Sequence, residues 1–221
     1  MKTMQKFYLL ICALMVIQAA PAQNLETDNL ENLVFPTFTN SVVKLKNGQT
    51  YETMLNYEKT EQQMVVLRNN QLFLFKDHQM VDSIYMGDRV FVPGDKGFLE
   101  VLNNGPVALF LQHKARLENT GSTLAYGSKT TTAGVTHITT IFGQAGAIIL
   151  KIPESYKVVD DSGLLVRVGG QMNKVTNRKQ FLRLFPEIRK ELENYISENG
   201  TDFRSTEDLI SLVGFCNMLS R

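Results

Sequence analysis

The chain has no tryptophan, 2 cysteines, 3 histidines and 6 prolines among 221 residues, and its formal net charge is only +1. Each shortage excludes something. Without tryptophan, the usual flat platform for sugars is missing, and Tyr51, Tyr57, Tyr85 and Tyr126 are what remains for that role. Without an excess of clustered Lys and Arg, there is no electrostatic footprint for nucleic acid. His78, His113 and His137 stand far apart, with no Cys, Asp or Glu at ligand spacing, so a zinc site of three or four ligands has no sequence basis. There is no G-x-S-x-G elbow, no Walker A loop and no dinucleotide-binding glycine motif. No run of about 20 apolar residues is present to span a bilayer as a helix.

What is there begins with an address. Lys2 and Lys6 precede an apolar run from Phe7 to Ile17, and Ala20-Pro21-Ala22 places small residues where a signal peptidase reads. That is the pattern of a secretory signal peptide over residues 1–22, with a mature chain expected from Gln23. Cys12 lies inside the apolar run rather than after the small residues, so lipid anchoring is not expected. Removing residues 1–22 takes out two lysines and no acid, leaving 199 residues with 21 basic and 22 acidic side chains, a net charge of −1. It also takes out Cys12, so the mature chain keeps only Cys216 and no internal disulfide is expected. Cys216 stands among Leu212, Val213, Phe215 and Leu219 at helical spacing, which reads as a buried, inert thiol.

From Ser41 onward, short apolar runs alternate with turn residues. Val43 and Leu45 alternate with lysines before Asn47-Gly48, the strongest short hairpin signal. Asn69-Asn70, Asp77-His78, Gly87-Asp88, the Gly94-Asp95-Lys96-Gly97 loop and Asn104-Gly105-Pro106 punctuate further runs, giving eight strands by Gln112. Such spacing predicts an antiparallel sandwich or barrel rather than βαβ units. Leu72 to Phe75 and Val107 to Leu111 are apolar at consecutive positions, so these strands should be central or covered on the outer face. Residues 118–147 are rich in Thr, Gly, Ser and Ala and read as a long polar loop or hairpin. Ile148 to Ile152, Tyr156 to Val159 and Leu164 to Val168 return to strand-like runs.

After Lys174 the period becomes helical. Asn177 with Gln180 three residues on reads as a capping box, and Pro186 as the first residue of a second helix. Asn199-Gly200 should end that helix, and Ser205 with Asp208 should open a third. The resulting fold class is mainly β (α+β). An antiparallel β-meander forms a sandwich or partly open barrel, with two to three short helices packed on it. The expected division is a signal peptide over 1–22, a β-rich domain over 23–172 and a helical segment over 173–221.

Chemistry is sparse. Asp160-Asp161 reads as a turn, and a carboxylate pair from separate strands is not recognisable without a fold. Gly94 to Gly97 pairs one acid with one lysine, a poor calcium site. Asn199-Gly200-Thr201 matches a glycosylation triplet but reads as a helix cap. Met64, Met80 and Met86 read as core. No catalytic, cofactor-binding or metal residue is assigned, and no cofactor is expected.

Several segments carry a resemblance. They are Val43-Lys44-Leu45-Lys46-Asn47-Gly48, Leu55-Asn56-Tyr57, Val81-Asp82-Ser83-Ile84, Gly87 to Pro93, Phe98 to Leu102, Phe181 to Glu187, Ile196 to Phe203 and Asp208-Leu209-Ile210. In them the chain resembles a group of uncharacterised exported proteins from Bacteroidetes, with an N-terminal β-meander and a C-terminal helical tail. The resemblance implies export and architecture, and no catalytic residues.

The leading expectation is therefore an exported, periplasmic or extracellular, non-catalytic interaction or binding module. Its ligand is unknown, and its partner an unknown protein or envelope component. No nucleic acid and no transmembrane segment in the mature chain are expected. One alternative is a small apolar-molecule carrier using a β-barrel cavity lined by Phe73, Phe75, Met86, Phe110 and Leu111. Another is a hydrolase with an unrecognised carboxylate site.

Overall fold

A computed structural model describes residues 31–219 apart from 76, 121, 124–128, 131–140, 143–147, 150–151 and 153–155. The signal-peptide expectation and most of the 118–147 expectation lie outside the described residues. Within 118–147 the chain completes β9 (Ala115–Asn119) and then shows β10 (Ser122–Thr123), β11 (Lys129–Thr130) and β12 (Ile141–Phe142).

The body is an antiparallel sheet built on β1 (Thr39–Leu45), which pairs on both sides. On one side the chain runs out through β2 (Thr50–Glu58), β3 (Gln63–Arg68) and β4 (Gln71–Leu74). A short 3-10 turn at His78–Met80 then returns it to the other side of β1. From there it continues through β5 (Val81–Met86), β6 (Arg89–Pro93), β7 (Phe98–Asn103) and β8 (Ala108–Gln112). Two meanders thus share their first strand. The two-residue β13 (Ile148–Ile149) and β12 extend the sheet beyond β4, while β15 (Gly163–Val168) and β16 (Gln171–Lys174) extend it beyond β8. These outermost strands do not pair with each other, so the ladder is not closed into a barrel.

The turns follow their residues. Gly48, Asn69, Asn70 and Gly87 all take the positive φ that glycine and asparagine tolerate best. Period-two alternation then sorts the side chains. Val43, Leu55, Tyr57, Met64, Ile84, Met86, Phe91 and Phe98 fill the inside of the curled β1–β7 region. The curl brings the β2–β3 turn against the start of β7, where the Phe98 amide donates to the Gln62 carbonyl at 3.3 Å. Gly97 permits this approach, because a Cβ there would lie 1.8 Å from the same carbonyl oxygen. The doubly apolar strands are covered as expected. Leu33 and Phe38 from the lead-in pack on Val65 and Leu72. β8 lies between β7 and β15, with Ala108 and Phe110 buried on one face and Leu109 on the other.

Helices α1 (Arg178–Arg183), α2 (Arg189–Asn199) and α3 (Thr206–Leu219) pack on the Leu109 face of β8 and β15. Leu209, Leu212, Val213 and Cys216 form the buried stripe of α3. A fully buried Leu or Val contributes roughly 1.5–3 kcal/mol, which is what keeps such short helices folded. Burial pushes the Cys216 thiol up to about 12, so it stays protonated and inert.

The caps hold with two corrections. Asn177 Oδ1 accepts from the Gln180 amide at 3.0 Å, but the Gln180 side chain returns to Thr176, one residue earlier than a capping box requires. Pro186 does not open the second helix. Leu184 and Phe185 close a tight turn onto Phe181 and Leu182, and helical bonding resumes only where the Leu192 amide reaches Ile188. Gly200 ends α2 at φ 60°, and Ser205 Oγ caps the Asp208 amide. β16 crosses the 172/173 boundary, so the β layer runs slightly into the segment assigned to helices.

Candidate functional site

The site grows from an interruption in a long β arm. β8 pairs with β15 and β9 pairs with β14 (Tyr156–Asp160). Gln112 faces Gly163 and Ala115 faces Asp160, so one register runs through both pairs and only His113-Lys114 and Asp161-Ser162 interrupt it. At the interruption, Tyr57 Oη donates to the carbonyls of His113 and Phe98, and the Ala115 amide donates to the Lys59 carbonyl. Burial, with Glu58 alongside, pushes the Tyr57 phenol well above its usual value and keeps it a donor.

Glu58 fixes the end of β2. It is fully buried, and its carboxylate accepts from Asn32 Nδ2, the Thr60 amide and hydroxyl, and the Glu61 amide. Burial pushes its carboxyl up, and those hydrogen bonds offset part of the push. The four bonds are the partners that a buried carboxylate needs. They also set the turn that carries Lys59.

A second buried carboxylate lies across the curl. Glu100 on β7 receives two hydrogen bonds from Arg89 on β6 and one from His113 Nε2, the last at 2.6 Å. Burial works to raise its carboxyl, but His113 and Arg89 outweigh it and hold the group below the usual carboxylate range. The Arg89 guanidinium lies 4.7 Å from the Phe35 ring centre and 5.5 Å from that of Phe91, so aromatic faces as well as the bidentate pair fix it.

Arg89 and His113 border a cleft of about 770 Å³ between the β body and the helical segment. Lys59, Arg89 and His113 line it from the sheet, Asp160, Ser162 and Gly163 from the interruption between β14 and β15, and Lys174 and Thr176 from the end of β16. Phe203, Arg204 and Thr206 come from the entry to α3. Gly163 matters because it lacks a side chain: a Cβ there would lie 3.3 Å from Lys174 Cε and 3.6 Å from its Nζ. Lys174 therefore lies directly over the strand backbone.

His113 in the cleft wall lies beside the Glu100 carboxylate. His113 Nε2 faces both Glu100 and Arg89. Ser162 Oγ is engaged with Lys114 and Asp160, and Tyr57 Oη with two carbonyls. Neither hydroxyl meets the imidazole as a hydrolytic triad needs. Among the described residues, no group of three or more His, Cys, Asp or Glu could hold a metal ion. No described helix is long and apolar enough to cross a membrane.

The residues singled out from sequence scatter. His78 stands in the 3-10 turn with its ring 6.1 Å from Phe98, and His137 and Tyr126 lie outside the described residues. Of the tyrosines, Tyr57 is core, while Tyr51 and Tyr85 are exposed. Met64 and Met86 are core, but Met80, expected there too, is 57% exposed. Asn199-Gly200-Thr201 forms the end of α2. Four of the five side chains proposed to line one apolar cavity fall in three clusters: Met86 and Phe75 share the curl, Phe110 packs in a second and Leu111 in a third. Asp160-Asp161, read as a turn, instead end β14 and begin the short interruption before β15 in one continuing arm, and Asp160 borders the cleft. Sequence reading missed Lys59, Arg89, Glu100, Lys174 and Arg204. No family model, curated protein or solved structure matches the chain.

Proposed function

We propose that the chain is an exported, non-catalytic binding module whose ligand site is the cleft between the β body and the helical segment. One observation carries this reading: the histidine and the serine that border the cleft are already held in hydrogen bonds to other groups of the protein. Glu100, Arg89 and His113 form a closed set, and Ser162 is tied to Lys114 and Asp160. A volume of about 770 Å³ is within the range of small-molecule sites. Secretion rests on the leader pattern over residues 1–22, and the cleft adds nothing to it.

The test is thermal stabilisation of residues 23–221 by small molecules extracted from the envelope of the producing cells. The expected result is a rise in Tm that Thr206→Trp, which fills the cleft from the helical wall, abolishes. Thr176→Trp fills it from the sheet side should the first variant not fold. Stabilisation that survives both plugs would remove the cleft from the account, and turnover of any extracted compound would overturn the non-catalytic reading.

A second reading has its own observation. Leu45, Val66, Leu74, Phe75 and Met80, with Tyr51 and Asp77, line a groove of about 420 Å³ that shares no residue with the cleft. A small apolar molecule suits it. Fluorescence enhancement of an anilinonaphthalene dye, lost in Met80→Glu, supports this reading; no enhancement ends it.

A further inference from the structure

The geometry points to a small polyanion, carrying two or more carboxylate or phosphate groups, as the ligand of the cleft; we infer this on the reading of the cleft as the binding site. Four basic side chains, Lys59, Arg89, Lys174 and Arg204, line it against one acid, Asp160. Arg89 is neutralised by Glu100. Among the described residues, none of Lys59, Lys174 and Arg204 has a carboxylate within ion-pair distance. The cleft therefore holds a local positive excess in a chain whose charges otherwise balance. Nearby charges offset little of it: Asp161 pairs with Lys114 at 2.7 Å and feels Lys174 only as a weaker attraction.

Placement argues for more than one anionic group. Lys59 follows β2, Lys174 closes β16 and Arg204 precedes α3, so the cations approach from three separate elements. The amino end of α3 adds little, because Ser205 already caps Asp208 and the Asp208 carboxylate accepts the Asp202 amide. The wall is mixed in character. Leu33, Leu164 and Val175 border the cleft at only 8%, 8% and 2% exposure, while Val34, Leu111 and Phe203 are partly exposed. A ligand meets ammonium, guanidinium and hydroxyl groups beside these apolar side chains. Charge-assisted bonds from such groups to oxyanions are the strong class of hydrogen bond.

The experiment is calorimetric titration of residues 23–221 with citrate, with inorganic pyrophosphate and with neutral sorbitol, at low and high salt. The expected result is that citrate or pyrophosphate binds, sorbitol does not, and added salt weakens binding, as exposed charges require. Which of the two binds more tightly separates carboxylate from phosphate chemistry. Lys59→Met, Lys174→Met and Arg204→Met should each weaken binding about tenfold, the equivalent of one charge-assisted hydrogen bond. Lys114→Met, whose charge is matched by Asp161, should change it far less. Failure of both anions to bind, or binding indifferent to the three substitutions, overturns the inference. If both fail while Thr206→Trp still abolishes stabilisation by the envelope extract, the cleft remains a binding site and only its anionic character falls.

Discussion

The curled β region and the helical layer bury their interiors by opposite means. In the curled region, aromatic and aliphatic side chains accompany ionisable groups that are well partnered: Glu100 inside the curl with Arg89 and His113, and Glu58 at the end of β2 with four donors. The core under the helices is built from Leu, Val, Ile, Phe and Cys216. The difference reflects what each region must do. A core that only attaches helices to a sheet needs area and shape. A core that also holds a strand end, a turn and a guanidinium in fixed positions uses hydrogen bonds, which are directional. The cleft lies where the two meet, so its sheet wall is held by a polar network and its helical wall by packing.

The largest expected effect tests the helical side. Phe181 is fully buried and its ring packs against Phe185 and Phe203. Phe181→Ala should cost about 3–5 kcal/mol in urea unfolding. Because no titratable group takes part, the cost should be the same at pH 4 and pH 7. A cost that varied with pH would break the contrast between the regions.

The next effect tests the curl. Glu100→Gln removes the charge that pairs with a largely enclosed Arg89 and should cost about 3 kcal/mol at neutral pH. Here the cost depends on pH. The folded carboxyl titrates below its unfolded value, so its stabilisation is complete above the ordinary glutamate range and disappears as the pH falls through the lower folded value. Wild type and Glu100→Gln should therefore converge in acid. Glu58 runs the other way. Its folded carboxyl is raised, so its proton linkage favours folding below the ordinary range and weakens as pH rises through the folded value. Stability profiles of Glu100→Gln and Glu58→Gln should consequently deviate from wild type in opposite senses between pH 4 and 7.

How much of this was legible follows from range in the chain. Asn47-Gly48, Asn69-Asn70 and Gly87-Asp88 set their own turns, so the strands of the first half could be read locally. Ser205 with Asp208 likewise opens its helix. Pro186 misled because the turn at Leu184 and Phe185 delays the next helix to Arg189, and a favourable residue at a first position does not by itself start one. The cleft left no local trace. Lys59, Arg89, His113, Lys174 and Arg204 each look like an ordinary surface charge or lone histidine in sequence, and only the curl and the interrupted β arm bring them together. Glu100 gave no signal either, since a glutamate within Phe98 to Leu102 reads as the solvent face of a strand, whereas it is 7% exposed and paired.

The smallest effect concerns the joint between the regions. Asn217 on α3 reaches the β7–β8 turn, where its Oδ1 accepts from the Val107 amide and its Nδ2 donates to the Val107 carbonyl, both at 2.8 Å. Val107 is 4% exposed, so water replaces those bonds poorly. Asn217→Ala leaves a buried amide and a buried carbonyl unpaired and should cost about 2 kcal/mol. The same side chain sits 2.9 Å from where a Cβ on Gly105 would be, so the turn has been shaped around it. Asn217→Asp discriminates bonding from filling: it keeps the volume and the acceptor but loses the donor to the Val107 carbonyl. If Asp is tolerated as well as Asn, the joint depends on shape, as the helical core does. If Asp costs nearly as much as Ala, directional bonding extends from the curl to the last helix, and the boundary between the two kinds of core falls within α3.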